Sequence, residues 1–280
     1  MTRARILRAA VVVVLAAAGL GWMNSLGRLQ WPSVLVYSGL VTLLCGILST
    51  LLPPAWLGFS RRSHGLLAAI VGGGAFFAAG WFWPVSFYST PAPASRLDAY
   101  LPVYQFHERH ELIVQAPAER VREALDHVSF AEIEAIQVLG QIRGFVMSGH
   151  WQRINVQHRV AATPVLDMVK QPRSGFFPLD DTPREFVFGL AGQPWNNKPV
   201  RLSAEEFRTW ALPGQVKIAA NFLIQDAGPG RSRLITETRI AATDESAMRT
   251  MARYWALVYP GSGMTRWGLL NAIRARAERL

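Results

Sequence analysis

From Val216 onward, the apolar residues Val216, Ile218, Ala220, Phe222 and Ile224 fall at every second position, the period of a pleated strand with one buried face. The AGPG stretch at 227–230 supplies a tight turn, and RSRLITETRIAA then alternates Leu234, Thr236, Thr238 and Ile240 with Arg233, Ile235, Glu237 and Arg239. A hairpin is expected, its second strand mixed in character on both faces. After Thr243 the period lengthens: Met248, Met251, Ala252, Trp255 and Val258 or Tyr259 recur at three- and four-residue spacing, as on an amphipathic helix. Thr243 fits an N-cap, with Asp244 and Glu245 at the helix's positive end. Pro260 and Gly261 are expected to interrupt this helix and Ser262 to cap a restart, whose stripe of Leu269, Leu270, Ile273 and Ala277 reaches an arginine-rich last turn.

The other end of the chain has a different pattern. Three runs without a charged residue, 9–23, 33–52 and 65–83, are expected to be transmembrane helices, the second and third having about the 20 residues a bilayer crossing needs. The first, shorter and flanked by Arg3, Arg5 and Arg8, also fits a signal peptide. Trp22, Trp31, Trp56, Trp81 and Trp83 stand at the run ends, where an aromatic belt would place them. Gly72, Gly73 and Gly74 would allow close helix approach, a weak pointer to a homo-oligomer through the membrane helices. Five arginines in the N-terminus and the second loop, against two in the other flanks, give a cell (inner) membrane protein of multi-pass type whose C-terminal domain lies outside the cytoplasm. The expected organisation is a membrane anchor over 1–90, a Pro- and Ser-rich linker over 91–102 and a folded domain over 103–280.

Within that domain HERHELIVQA reads as a strand, and AERVREALDHV as a helix with Pro117 at its start. AEIEAIQVLGQIRG offers a further helix, HWQRINVQHRV a strand or ribbon, and Thr163 a cap for a short helix beginning at Pro164. GFFPL and REFVFGL flank DDTP as a hairpin, and Ser203 and Glu206 have capping-box spacing. This element order, with TETRI, ARYWALVYPGSG and the terminal LLNAIRARAERL, resembles the helix-grip fold of the START-like superfamily, which includes polyketide cyclase/dehydrase and lipid transport proteins. The resemblance implies an α+β domain whose antiparallel sheet wraps around a long C-terminal helix. It also implies a hydrophobic ligand (a lipid, an isoprenoid or a polycyclic molecule) held between the two. No catalytic motif is carried over with it. A cyclase- or aromatase-like enzyme and a non-catalytic membrane assembly module remain the alternatives.

Charge narrows the choices. All 19 acidic residues lie at or after Asp98, and residues 1–97 hold seven arginines, leaving 22 basic against 19 acidic residues in the remainder. A nucleic-acid binder would concentrate its basic excess on the folded domain, so no nucleic-acid partner is expected. Cys45 is the only cysteine, which rules out an intrachain disulfide. His107 and His110 point to opposite faces of their strand and read as solvated; with no HExxH motif or cysteine cluster, neither a metal nor another cofactor is implied.

The residues nominated to line a ligand cavity are Phe222, Ile224, Glu237, Arg239, Trp255 and Trp195. Glu237 and Arg239 share a strand face, which makes them a polar anchor if the face lines a cavity and an ordinary surface pair if it meets water, the latter being the commoner case. Trp195 sits in GLAGQPWNNKP, a stretch suited to a mobile loop over a pocket mouth or to a plain connection. Arg266, Arg274, Arg276 and Arg279 could meet anionic lipid heads or simply be solvated.

Overall fold

Residues 18–21, 23–25, 29–51, 62–90, 93–133 and 162–279 are described by a computed structural model. Of the helix expected over 131–144 only 131–133 are described, where a 3-10 turn at Phe130–Glu132 ends at Ile133; the rest of it, the strand or ribbon at 150–160 and most of the first apolar run lie outside the described residues. Two compact units are present: Met1–Pro84 with Ala252–Pro260, and Val85–Met251 with Gly261–Leu280.

In the first unit the second and third apolar runs form helices α1 (Trp31–Leu51) and α2 (Arg62–Trp81). Only α1 among the described residues is long and apolar enough to cross a membrane, through an 18-residue window, Trp31–Leu48, of mean hydropathy 1.8. The expectation of three spans is corrected accordingly. In α2 the first turn is the polar Arg62, Ser63 and His64, and the helix stops at Trp81, short of Pro84, so its apolar part shrinks to Gly65–Trp81.

Glycines let α1 and α2 come together. A Cβ on Gly39 would stand 2.6 Å from the Phe77 amide nitrogen, and one on Gly80 would stand 2.6 Å from the Pro32 carbonyl oxygen. Gly46 faces Ala69, and Gly73 faces Gly39 and Leu43. Gly39 and Gly46 on one helix, and Gly73 and Gly80 on the other, repeat at seven-residue spacing, which keeps each pair on one side of its helix.

The second unit is built on a six-stranded antiparallel sheet. After a two-residue ribbon of β1 (Tyr88–Ser89) and β2 (Val103–Tyr104), the strands are β3 (Phe106–Val114), β4 (Phe177–Asp181), β5 (Glu185–Gln193), β6 (Lys198–Val200), β7 (Val216–Asp226) and β8 (Ser232–Ala242). Their order is β3-β8-β7-β5-β4, with the short β6 paired to β5. Every pairing is antiparallel, and Gly228 and Gly230, with φ of 103° and 67°, make the turn between β7 and β8. Helices α3 (Ala118–His127), α4 (Val165–Lys170), α5 (Ala204–Thr209) and α6 (Glu245–Ala277) complete the elements. The capping box forms as its spacing requires: the Ser203 hydroxyl accepts from the Glu206 amide, and the Glu206 carboxylate from the Ser203 amide at 2.7 Å.

Both faces of the sheet are covered, which is why alternation in β7 and β8 is blurred. Phe186, Phe222, Ile224 and Leu234 pack with Leu269, Leu270 and Ile273 of α6 on one face. On the other, Val187 and Ala219 pack with Leu97, Tyr100, Leu101 and Phe207. The stretch read as a linker is thus partly folded structure: a 3-10 turn at Arg96–Ala99 lies on the sheet, with Leu97 and Asp98 buried. The loop around Trp195 is likewise ordered, as the end of β5, a 3-10 turn at Pro194–Asn196 and β6, with Asn197 in the left-handed region at φ 51°.

The last helix corrects two expectations. Its N-cap is Asp244, whose carboxylate accepts from the Ala247 amide at 2.8 Å and from the Gly214 amide, while Thr243 exchanges hydrogen bonds with Gln215 instead. Pro260 does not break it: the helix runs unbroken for 33 residues. Proline's fixed φ is helical, so its cost here is the one hydrogen bond it cannot donate and the crowding of its ring against the carbonyl one turn back, and packing along the rest of the helix outweighs both.

Candidate functional site

The face of the sheet that meets Gly261–Ala277 of α6 can be read row by row from the strand register. One row runs Phe106, Ile240, Ile218, Leu190; the next Glu108, Thr238, Ala220, Phe188; the third His110, Thr236, Phe222, Phe186; the fourth Leu112, Leu234, Ile224. The outer rows are apolar. The two middle rows are divided: β3 and β8 contribute Glu108, His110, Thr236 and Thr238, whereas β7 and β5 contribute Phe188, Phe186, Phe222 and Ala220. The phenylalanines are stacked, Phe186 on Phe188 at 5.9 Å and Phe188 on Phe222 at 6.1 Å.

Glu108 and His110 are each 3% exposed, an uncommon depth for two ionisable side chains. They are neighbours on one face because residues two apart in a strand point the same way. Nε2 of His110 lies 2.8 Å from Oε1 of Glu108, and the Ser262 hydroxyl donates to Oε2. Both carboxylate oxygens therefore have a partner. Ser262 comes from the Pro260–Gly261–Ser262–Gly263 segment of α6, and Arg266, one turn later, reaches the same patch. Its Nη1 donates to the Thr236 hydroxyl at 3.2 Å, and its guanidinium lies 5.8 Å from the centre of the Phe188 ring. Trp267 stands edge-on to the His110 ring at 5.5 Å. The hydroxyl of Thr238 and the indole N–H of Trp267 are buried without a hydrogen-bond partner among the described residues.

Burial pushes the Arg266 guanidinium below the ordinary arginine value, and the nearby Glu108 carboxylate offsets this only in part. Chemically, the cluster offers hydrogen-bond donors beside a carboxylate–imidazole pair, next to an aromatic wall. It is not arranged for nucleophilic attack by serine, because the Ser262 hydroxyl is bonded to Glu108 and not to the imidazole.

Glu237 and Arg239 lie on the opposite face. Both are buried, so the surface-pair reading is overturned. Arg239 donates through Nε to Glu237 and through Nη1 to Asp98 at 2.6 Å, and its guanidinium lies 4.8 Å from the Tyr104 ring centre. His107 stands 3.3 Å from Glu237. Burial alone would raise the Asp98 carboxyl, but the Arg239 hydrogen bond and the Ser95 and Ala94 amides outweigh it and hold it below its usual value. Glu237 is likewise held low, burial being outweighed by His107 and Arg239. Beside them Glu185 accepts from the Asn221 side chain at 2.7 Å and from the Arg96 amide at 2.8 Å. This network fastens the 3-10 turn at Arg96–Ala99 to the sheet.

The nominated residues do not converge on one place. Phe222 and Ile224 belong to the buried face under α6, Glu237 and Arg239 to the other face, Trp195 to the half-buried turn between β5 and β6, and Trp255 to the middle of α6 with its ring edge-on to Tyr259 at 5.6 Å. Glu108, His110 and Ser262 were not nominated, and Arg266 was weighed only among the terminal arginines, as a contact for anionic lipid heads or a solvated charge. The signal for the first two was present in FHERHELIV, where Phe106, Leu112 and Val114 mark one face and Glu108 and His110 share it. Reading His110 as solvated missed that face. Of the other terminal arginines, Arg274 donates to Asn271 and Arg276 meets Glu132.

Compared with known protein families, curated proteins and solved structures, the chain gives no match. The class that the fold defines is an α+β domain, a six-stranded antiparallel sheet with a long C-terminal helix.

Proposed function

We propose that this protein is a membrane-anchored binding protein of the START-like, helix-grip type, holding a hydrophobic ligand between the sheet and Gly261–Ala277 of the C-terminal helix. The observation that carries this reading is the divided inner face: an aromatic wall of Phe186, Phe188 and Phe222 abuts the buried polar group of Glu108, His110, Thr236, Ser262 and Arg266. Buried polar groups that are kept inside an apolar layer fix the orientation of a bound molecule in most small-molecule sites.

Two further features support it. Leu190 and Ile218 are directly paired on interior strands, yet both remain half-buried and not closed off. Arg266 also keeps accessible surface, although it is enclosed deeply enough for burial to dominate its ionisation. Their partial exposure leaves this end of the inner face reachable by a bound molecule.

The anchor reading rests on α1 and its neighbour, whose Val41, Leu44, Ile47, Leu67, Ile70 and Val71 are exposed, an apolar surface far better solvated by lipid than by water. Placement in the cell (inner) membrane rests on the α1 span; a multi-pass arrangement with the C-terminal domain outside the cytoplasm, as the arginine distribution would orient it, further requires the first apolar run and α2 to cross as well. A second reading, a cyclase-like enzyme, is favoured by the Glu108–His110 pair, which could move a proton on a bound ligand.

The test is mass spectrometry of the full chain purified in gentle detergent. A single class of hydrophobic molecule at a stoichiometric ratio is expected, and its loss on replacing Ala220, at the centre of the inner face, with Trp. Only detergent and bulk membrane lipid, in the same proportion in both proteins, would overturn the binding reading.

A further inference from the structure

We infer that the ligand is amphipathic and anionic, with an acidic oxygen head group received by Arg266 and an apolar body against the phenylalanine wall. This rests on the reading that the inner face binds a ligand at all, and adds what its head must be.

The argument comes from comparing the two arginines that the sheet carries on its opposite faces. Arg239 is satisfied by two carboxylates, Glu237 and Asp98, both within hydrogen-bond distance. Arg266 has none: among the described residues no carboxylate lies within the 4.0 Å of an ion pair, and its one hydrogen bond goes to the neutral Thr236 hydroxyl. Glu108 is the nearest candidate on the same face, but its two oxygens are taken by His110 and Ser262. An enclosed guanidinium is costly unless an anion or a set of acceptors meets it. Arginine's planar fork also suits carboxylate and phosphate oxygens better than a single hydroxyl.

Two more groups on this face await an acceptor. The Thr238 hydroxyl, on the same face of β8 two residues from Thr236, and the Trp267 indole N–H, next in sequence to Arg266, have no partner among the described residues. Most buried side-chain donors do have one. The guanidinium and the indole can only donate and the hydroxyl can do either, so the three together are met by oxygen acceptors and not by another donor. A neutral hydrocarbon would leave all three unmet. The neighbouring Phe188 and Phe222 rings, in the same two rows as the threonines, take the apolar remainder.

Dodecanoate and its methyl ester, which differ in the charged head, test this against acetate, which lacks the body. Binding is measured by competition on the full chain in detergent at fixed micelle concentration. Partition into micelles is common to all variants, so it cancels when the acid-to-ester affinity ratio is compared between them. The wild type is expected to have a ratio at least about tenfold above that of Arg266→Gln, which should keep its affinity for the ester; Arg266→Lys should retain part of the preference. Thr238→Val, which removes an unpartnered hydroxyl without changing shape, should leave the melting temperature unchanged or higher while weakening dodecanoate.

If acid and ester bind equally to the wild type and to Arg266→Gln, the anionic head is refuted and the apolar site survives. Acetate binding as tightly as dodecanoate would replace the amphipath with a free-anion site. If neither acid nor ester binds, the ligand-binding reading falls too. Should Arg266→Gln fail to fold, the Thr238→Val comparison still decides the outcome.

Discussion

Glu108 is a buried carboxylate whose two oxygens depend on one partner each, so the energetics at this scale are those of removal. Ser262→Ala strands Oε2 of Glu108, and leaving a buried acceptor unmet costs on the order of 1–3 kcal/mol. A drop of that size in unfolding free energy is expected, measured by denaturant titration, with Ser262→Thr restoring most of it. The opposite face answers to the same logic with higher stakes: Arg239→Met leaves Asp98 and Glu237 buried together without their cation and should cost about 3–5 kcal/mol. Because both carboxyls are held below their ordinary values in the fold, they add stability above those values and lose it as pH falls through the lowered ones. Unfolding followed from pH 7 to below about pH 4 should therefore show a loss of stability that Asp98→Asn makes shallower. At this scale the sequence was legible wherever a residue obeyed a local rule, as Ser203 and Glu206 did. It failed where burial came from distant chain: nothing near Glu237 and Arg239 shows that a turn more than 130 residues earlier closes over them, the Arg239–Asp98 hydrogen bond spanning 141 positions. His110 was misread for the converse reason, its polarity being taken for exposure although its alternating neighbours Leu112 and Val114 are core residues.

Elements were easier to read than contacts, because periodicity and turn chemistry are local. The hairpin of β7 and β8, the DDTP hairpin of β4 and β5, strand β3 and helix α3 all lie where their patterns put them. Pro260 shows the limit, since a rule about isolated helices was applied to one held by packing at both ends. Along α6 the buried side advances as Ala247, Met251, Trp255 and Tyr259, one residue per turn, close to the stripe inferred from Met251 and Trp255. Trp255→Ala should cost about 3–5 kcal/mol through lost burial and the cavity left. A melting temperature within a degree of wild type would mean that side of the helix is not packed. In the helical pair α1 and α2, close approach is set by glycine, and Gly39→Leu drives a side chain into the Phe77 backbone at a distance no packing can absorb. In detergent the full chain with Gly39→Leu is expected to melt several degrees below the parent, whereas Gly72→Leu, at a helical glycine whose added Cβ meets nothing, should melt with it; equal melting of the two variants would mean that glycine does not set the approach.

The whole molecule comprises a helical pair, of which α1 is long and apolar enough to cross a membrane, and an α+β domain, and its division does not follow the order of the chain. On sequence grounds everything from about residue 95 onward is a self-sufficient domain, since it holds all the acidic residues and a complete run from strand to helix. In the fold, however, Ala252–Pro260 belongs with the residues before Pro84. The Tyr37 hydroxyl donates to the Leu257 carbonyl at 2.6 Å, beside the turn where Pro260 can donate nothing, and the Arg253 guanidinium lies 5.7 Å from the Trp81 ring centre and 5.5 Å from that of Phe82. A hydrogen bond to a carbonyl near a proline, and a cation over two rings at a helix end, are matches that no periodicity could have foretold. Their consequence can be tested by cutting the chain. Residues 85–280 expressed alone keep the six strands and both faces of the sheet, but they lose Tyr37, Trp81 and Phe82. The truncated chain is therefore expected to be folded yet sticky, binding a hydrophobic dye and eluting as oligomers, with Trp255→Ser reducing the dye signal. The full chain in detergent should do neither. If residues 85–280 instead give a dye-silent monomer with one cooperative thermal transition, the stretch Ala252–Pro260 needs no cover from the helical pair, and the domain is as self-contained as its sequence implies.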